Sequence, residues 1–170
     1  SYVITMTSHG PFTNASNYYK NSLFDDINDK QLRDYYNSMS YVDRSIEEYV
    51  REIREQYENA YVFIFGDHTS KIETDTYKQS FMMIEDKTYE FVPLLIITPD
   101  NRKYFEDKNV ASLLDLAPTI LNATGNSYSI RTDGIDLLNP PLSLSKIPHR
   151  GSQWDRADLY RLIKEKEISQ

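Results

Sequence analysis

Cysteine is absent from the 170 residues, which removes disulfides, thiolate nucleophiles and cysteine-ligated zinc at once. That absence leaves the compartment open, because exported bacterial proteins also do without cysteine. No apolar run approaches the ~20 residues needed to cross a bilayer. The opening "SYVITMT" has no basic leading region and is too short for the apolar core of a signal peptide. Positive charge is also in deficit: 19 Lys and Arg stand against 26 Asp and Glu, a net charge of −7. Binding a nucleic acid requires clustered Lys and Arg that release counterions from phosphates, so no nucleic-acid partner is expected. Histidine is scarce enough, at 3 residues, for each one to be weighed singly.

What is present suits one globular domain, with 39% apolar and 26% charged residues and enough length to bury a core. The chain opens inside what reads as a short buried strand, Tyr2–Thr7, as if cut from a longer protein. Gly10 and Pro11 in "SHGPF" break that run, and Asn14–Asn28 is polar and loop-like. From about Asp29, Leu32, Tyr35, Met39, Val42, Ile46, Tyr49, Ile53 and Tyr57 recur at three- and four-residue steps, which predicts one long amphipathic helix. Tyr61–Phe65 and Phe91–Pro99 are continuous apolar strands with no wet face, separated by a loop from Gly66 to about Glu90. Val110–Ala123 reads as a second helix presenting Leu113, Leu114, Ala117, Ile120 and Leu121, and ending at the glycine of "NATGNS". Beyond Ile130, "TDGIDLLNPP" is a turn-rich connector. "SLSKIPHRGSQW" and "ADLYRLI" read as strands of a small peripheral sheet.

Apolar strands alternating with helices predict an α/β layer fold with a largely parallel, doubly covered sheet. Ligands of such sheets bind beyond the carboxyl ends of the strands, where "SHG" and "GDH" fall. Asp67 and His68 supply an oxygen and a nitrogen donor just past Phe65. Adjacent side chains of a regular strand point to opposite faces, so convergence on one ion needs a break. Gly66, with access to backbone angles closed to other residues, is a place for it. The donor pair suits a divalent ion of intermediate hardness, Mn²⁺ or Zn²⁺; the plainer alternative is a strand-to-loop turn with a solvated carboxylate and a rim imidazole. His9 has the same pair of readings, rim residue or site residue, after the other strand end. His149 and Arg150 form a third polar cluster, a phosphate clamp or an ordinary turn. Thr5, Thr7 and Ser8 lie beside His9, but no spacing marks any of them as a nucleophile.

In order, "ITMTSHGPF", the helix containing "YVDRSIEEYV", "VFIFGDHTS", "VPLLIITP", "LLDLAPTILNATG" and "DGIDLL" resemble the C-terminal half of the lipoteichoic acid synthase-like phosphoglycerol transferases. These belong to the sulfatase/alkaline phosphatase superfamily. The resemblance covers Tyr2 to Leu138, with "D-x-x-PT" at Asp115–Thr119 as support. It implies a truncated three-layer α/β/α sandwich of the alkaline phosphatase/sulfatase type over residues 1–138, and a peripheral C-terminal subdomain with a small sheet over residues 139–170.

The resemblance also implies an activity: metal-dependent phosphoglycerol transfer at the extracytoplasmic face of the bacterial membrane, through a threonine nucleophile upstream of this chain. Membrane attachment would likewise come from an upstream anchor. By motif match, Asp67 and His68 correspond to metal ligands and His9 to the histidine that contacts the phosphoglycerol group. The cofactor implied is one divalent ion, Mn²⁺ first, with Mg²⁺, Zn²⁺ and Ca²⁺ as alternatives. The substrate is a phospholipid or polymer phosphate. A sulfatase or other phosphodiester hydrolase is the nearest competing enzyme, and a non-catalytic domain binding an envelope glycan or polymer is the competing class. A fragment of the sandwich would expose an apolar face and a sheet edge, so a homodimer is a further expectation.

Overall fold

A computed structural model describes residues 2–13, 19–70, 72, 81–84, 87–100, 110–125, 127, 129–140, 146–149 and 152–168. The chain falls into two compact units, Ser1–Arg102 and Lys103–Gln170, each with its own buried residues.

In the first unit the longest element is helix α1, Lys30–Gln56. It starts where expected because the Asp29 carboxylate accepts the Leu32 N–H at 2.9 Å, occupying one of the donors that a helix start leaves free. Its N-terminal half buries Leu32, Asn37, Ser38 and Val42. Further along, the expected stripe surfaces, with Tyr49 and Tyr57 exposed. Leu32 meets Phe12 and Ile72 in a small core flanked by Ile27, Tyr35 and Tyr36. Phe12 holds a positive φ of 66°, a backbone state that costs a bulky residue about 1–3 kcal/mol. Burial of its ring against Tyr35, centroids 5.2 Å apart, and the Ser38 hydroxyl donating to its carbonyl at 2.9 Å offset that cost.

Strand β1, Val62–Phe65, pairs with β4, Leu94–Ile97, in register Val62↔Ile97 to Phe65↔Leu94. The pairing is antiparallel, which corrects the expectation of a largely parallel sheet. Between them lies a hairpin, β2 (Phe81–Ile84) with β3 (Lys87–Glu90), where a loop was expected. A parallel partner needs a long crossover, usually a helix, and this connection carries a hairpin instead. Apolar content reports burial, not strand direction. Even the burial is incomplete: β1 is half-buried throughout and Leu95 of β4 is 54% exposed, because the described ladder has only two strands. Arg54 ties the end of α1 to the end of β4, donating to the carbonyls of Thr98 and Pro99, both at 2.9 Å, and of Ala60 at 3.0 Å.

Tyr2–Thr7 is not a strand. It has no ladder partner among the described residues, and Tyr2, Val3, Ile4 and Met6 are exposed. Their apolar character mimicked a buried strand, and the Tyr2 ring stacks on Phe65 with centroids 6.5 Å apart.

The second unit is built around a buried ion pair. Asp115 and Arg156 have side chains 0% and 1% exposed, joined by two hydrogen bonds of 2.7 Å. The same carboxylate accepts the N–H groups of Ser112 at 2.7 Å and Ile135 at 2.8 Å, and the guanidinium also donates to the Val110 carbonyl at 2.9 Å. A single 3-10 turn, Leu113–Asp115, precedes helix α2, Leu116–Ala123. The expected helix from Val110 is therefore shorter, and its expected face is reversed. Leu113, Leu114 and Ile120 are exposed, whereas Asp115, Leu116, Pro118 and Thr119 are buried. The buried hydrogen bonds of Asp115 and Thr119 set the rotation that apolar spacing alone assigned to the leucines. The helix ends as read, with Gly125 at a φ of +66° just beyond it.

The connector Ile130–Pro140 is irregular, as expected, and is pinned by the N–H of Leu137 donating to the Thr119 hydroxyl at 3.0 Å. At Gly134 a Cβ would stand 2.1 Å from the Leu114 carbonyl oxygen, so only glycine fits. A hairpin follows, β5 (Lys146–His149) with β6 (Ser152–Asp155), matching the small sheet expected of "SLSKIPHRGSQW". "ADLYRLI" is not a strand but lies in helix α3, Arg156–Ile168. Asp155 caps it, accepting the Ala157 N–H at 2.9 Å, and Leu159 is buried. The three- and four-residue steps Leu159–Leu162–Ile163 behind an Asp were the helix signal.

Asp115→Ala leaves a buried guanidinium without its counter-charge and lowers the unfolding free energy of this unit by about 3–5 kcal/mol. The double replacement Asp115→Leu with Arg156→Met recovers only part of that loss, because the N–H groups of Ser112 and Ile135 stay without their acceptor. Urea unfolding followed by circular dichroism measures both, and equal losses in the single and double variants would contradict the ion-pair account.

Candidate metal and substrate site

Past Phe65 the chain meets a close backbone approach. The Gly66 N–H donates to the Pro93 carbonyl at 3.1 Å, and a Cβ on residue 66 would lie 2.9 Å from the Val92 Cβ. Gly66 does not occupy the left-handed region. The glycine is required by space and not by the backbone angle expected from sequence. The ladder stops there, and the next two side chains leave it together. Asp67 Oδ1 and His68 Nε2 are 3.7 Å apart, on side chains 78% and 59% exposed.

His9 is delivered from the other side. The turn after Tyr2–Met6 closes through its N–H donating to the Met6 carbonyl at 3.1 Å, and the buried Phe12 anchors the residues that follow. The His9 and His68 rings lie edge to face, with centroids 6.3 Å apart and an interplanar angle of 88°. The three residues singled out in the sequence thus share one surface of the first unit.

The tautomers follow from partners. His9 Nδ1 contacts the Gly10 carbonyl at 2.8 Å and His68 Nδ1 the Thr69 carbonyl at 2.9 Å. A carbonyl only accepts, so both Nδ1 atoms carry the proton, and Nε2 is the position each ring keeps for another partner. Metal–donor bonds of about 2.0–2.2 Å drawn from the Asp67 oxygen and the His68 nitrogen can meet at one ion, so this pair fits a divalent cation. The fit is partial. No group of three or more His, Asp or Glu side chains among the described residues could hold a metal, and a catalytic centre normally has three protein ligands plus an open position.

His149 lies in the second unit, on β5, and Arg150 lies outside the described residues. Thr5 and Ser8 hydrogen-bond each other through their hydroxyls at 3.1 Å. Sequence reasoning missed Glu90 and gave Thr69 no weight. The Glu90 carboxylate accepts the Thr69 hydroxyl at 3.1 Å across 21 residues of sequence, a separation over which no local pattern gives a signal.

A family model described as Sulfatase matches residues 1–126, the greater part of the chain and all of the unit that carries His9, Asp67 and His68. The chain belongs to the sulfatase family, whose fold is the α/β type of alkaline phosphatase. Within it, the chain is similar to a lipoteichoic acid synthase of Staphylococcus saprophyticus, with 28% identity over 149 residues, 82% of this chain. It spans 23% of that relative's length. No solved structure matches. Among the described residues, no helix is long and apolar enough to cross a membrane.

Gly66→Ala is expected to cost about 1–3 kcal/mol through overpacking against Val92 and to displace the ring signals of His68 and His9 in an NMR spectrum. A variant with wild-type stability and unmoved histidine signals would show that the close approach does not position the site.

Proposed function

We propose that this chain is part of a metal-dependent phosphoglycerol transferase working at the extracytoplasmic face of a bacterial membrane, within a three-layer α/β/α sandwich. The supporting observation is that His9 and the adjacent pair Asp67 and His68, far from His9 in sequence, meet on one surface of a sulfatase-family chain similar to a lipoteichoic acid synthase.

In this reading Asp67 and His68 would hold one divalent ion, Mn²⁺ first among the candidates. Held there, such an ion would supply Lewis acidity toward an attacking hydroxyl and positive charge for the phosphoryl oxygens. His9 presents its Nε2 to the phosphoglycerol group of a phospholipid or polymer phosphate. With Nδ1–H committed to the Gly10 carbonyl, Nε2 accepts from a glycerol hydroxyl in the neutral ring and donates to a phosphoryl oxygen only in the protonated ring, where it stabilises charge that develops during transfer. The nucleophilic threonine and the remaining ligands come from sequence outside these 170 residues. The open, solvent-facing position of all three side chains suits a bulky headgroup. A second reading, a sulfatase or phosphodiester hydrolase, is favoured by the family description itself.

Titration of Mn²⁺ into the chain, read by electron paramagnetic resonance, is expected to show weak binding. Asp67→Ala and His68→Ala should each reduce it by roughly tenfold or more, since even losing an outer-shell partner costs that much. In the full-length protein, phosphoglycerol transfer from a phospholipid is expected to require the metal and to disappear in Asp67→Ala. Sulfate release from an aryl sulfate would select the hydrolase reading, and activity indifferent to both metal and Asp67 would overturn the two together.

A further inference from the structure

Three hydrogen bonds run from the end of β3 to the imidazole of His68. One carboxylate oxygen of Glu90 accepts both the hydroxyl of Thr69 at 3.1 Å and its N–H at 3.4 Å. The carbonyl of Thr69 in turn accepts Nδ1–H of His68 at 2.9 Å. Glu90 is itself held, because it pairs with Phe81 in the hairpin ladder. Thr69 is therefore gripped at its side chain and at its backbone donor, which restrains the residue whose carbonyl holds the ring.

A ring bonded through Nδ1 to a fixed acceptor has both its tautomer and its rotation set, an arrangement that outer-shell partners commonly impose on metal-binding histidines. Here the consequence is visible: Nε2 is left on the Asp67 side, 3.7 Å from Oδ1. Without the Thr69 acceptor an exposed imidazole turns freely and exchanges its proton between the two nitrogens.

We propose that Glu90 is a positioning residue for His68, acting through Thr69 to hold the imidazole in the Nδ1–H tautomer with Nε2 beside Asp67. This rests on the reading of His68 as a metal ligand. Glu90 is not assigned to the ion, since its Oε2 is committed to Thr69.

The test is long-range ¹H–¹⁵N NMR of the His68 ring in the metal-free chain at about pH 8, above the ordinary histidine range, followed by Zn²⁺ titration as a diamagnetic probe. In the unsubstituted chain Nδ1 is protonated and Nε2 bare, and Zn²⁺ shifts the Nε2 signal. In Glu90→Ala the ring becomes a mixture of tautomers and Zn²⁺ affinity falls roughly tenfold. Glu90→Gln, whose amide oxygen accepts the same two donors, keeps the original pattern. Thr69→Val removes the hydroxyl arm alone, shifts the tautomer ratio in the same direction by less, and carries the test should Glu90→Ala unfold. A purely structural role for Glu90 would change melting temperature without changing the tautomer. Unchanged ring signals in Glu90→Ala and Thr69→Val overturn the proposal, as does Glu90→Gln behaving like Glu90→Ala. A wild-type ring that ignores Zn²⁺ removes the ligand reading beneath it, and the tautomer data separate that failure from the failure of Glu90 alone.

Discussion

Between Phe65 and Asp67 there is no room for a side chain. The approach of Val92 and Pro93 to Gly66 ends the β1–β4 ladder at one point, and every feature of the candidate site follows from where that point lies. A strand that continued would send residues 67 and 68 to opposite faces. A ladder broken here releases a carboxylate and an imidazole onto the same side. The other anchors sit outside the site. Arg54 binds the far end of β4 to the end of α1 through backbone carbonyls. Phe12, buried in a strained backbone state, fixes the turn that carries His9.

The chemistry of the site is that of an open surface. Its three side chains face solvent, so charge interactions among them are screened, and their directional contacts are the two carbonyls that select Nδ1 as the protonated nitrogen. His68 sets its Nε2 3.7 Å from the Asp67 carboxylate, two donors where a catalytic metal centre normally has three protein ligands, in a chain that spans 23% of its relative's length.

In the second unit a charge pair does what apolar packing does elsewhere. Asp115 gathers Arg156, Ser112 and Ile135 on one carboxylate, joining the turn before α2, the connector and the start of α3. Each of its oxygens accepts two donors, so the cost of burying the charge is met by hydrogen bonds as well as by the counter-ion. The "DLAPT" segment, which in sequence supported only a resemblance, is thus the structural centre of this unit.

The sequence alone determined the long helix, its start near Asp29, strand structure within "SLSKIPHRGSQW" and the glycine at the end of α2, and it nominated His9, Asp67 and His68 as candidates. These are local properties: apolar period, capping chemistry and short motifs are written within a few residues. Tertiary structure alone decided the antiparallel pairing of β1 with β4, the exposure of Tyr2–Met6, the buried face of α2, and the roles of Arg54, Glu90 and Arg156. Each of those depends on a partner tens of residues away. An apolar run can state that it prefers burial, but only the folded chain supplies the neighbour that buries it or leaves it in water.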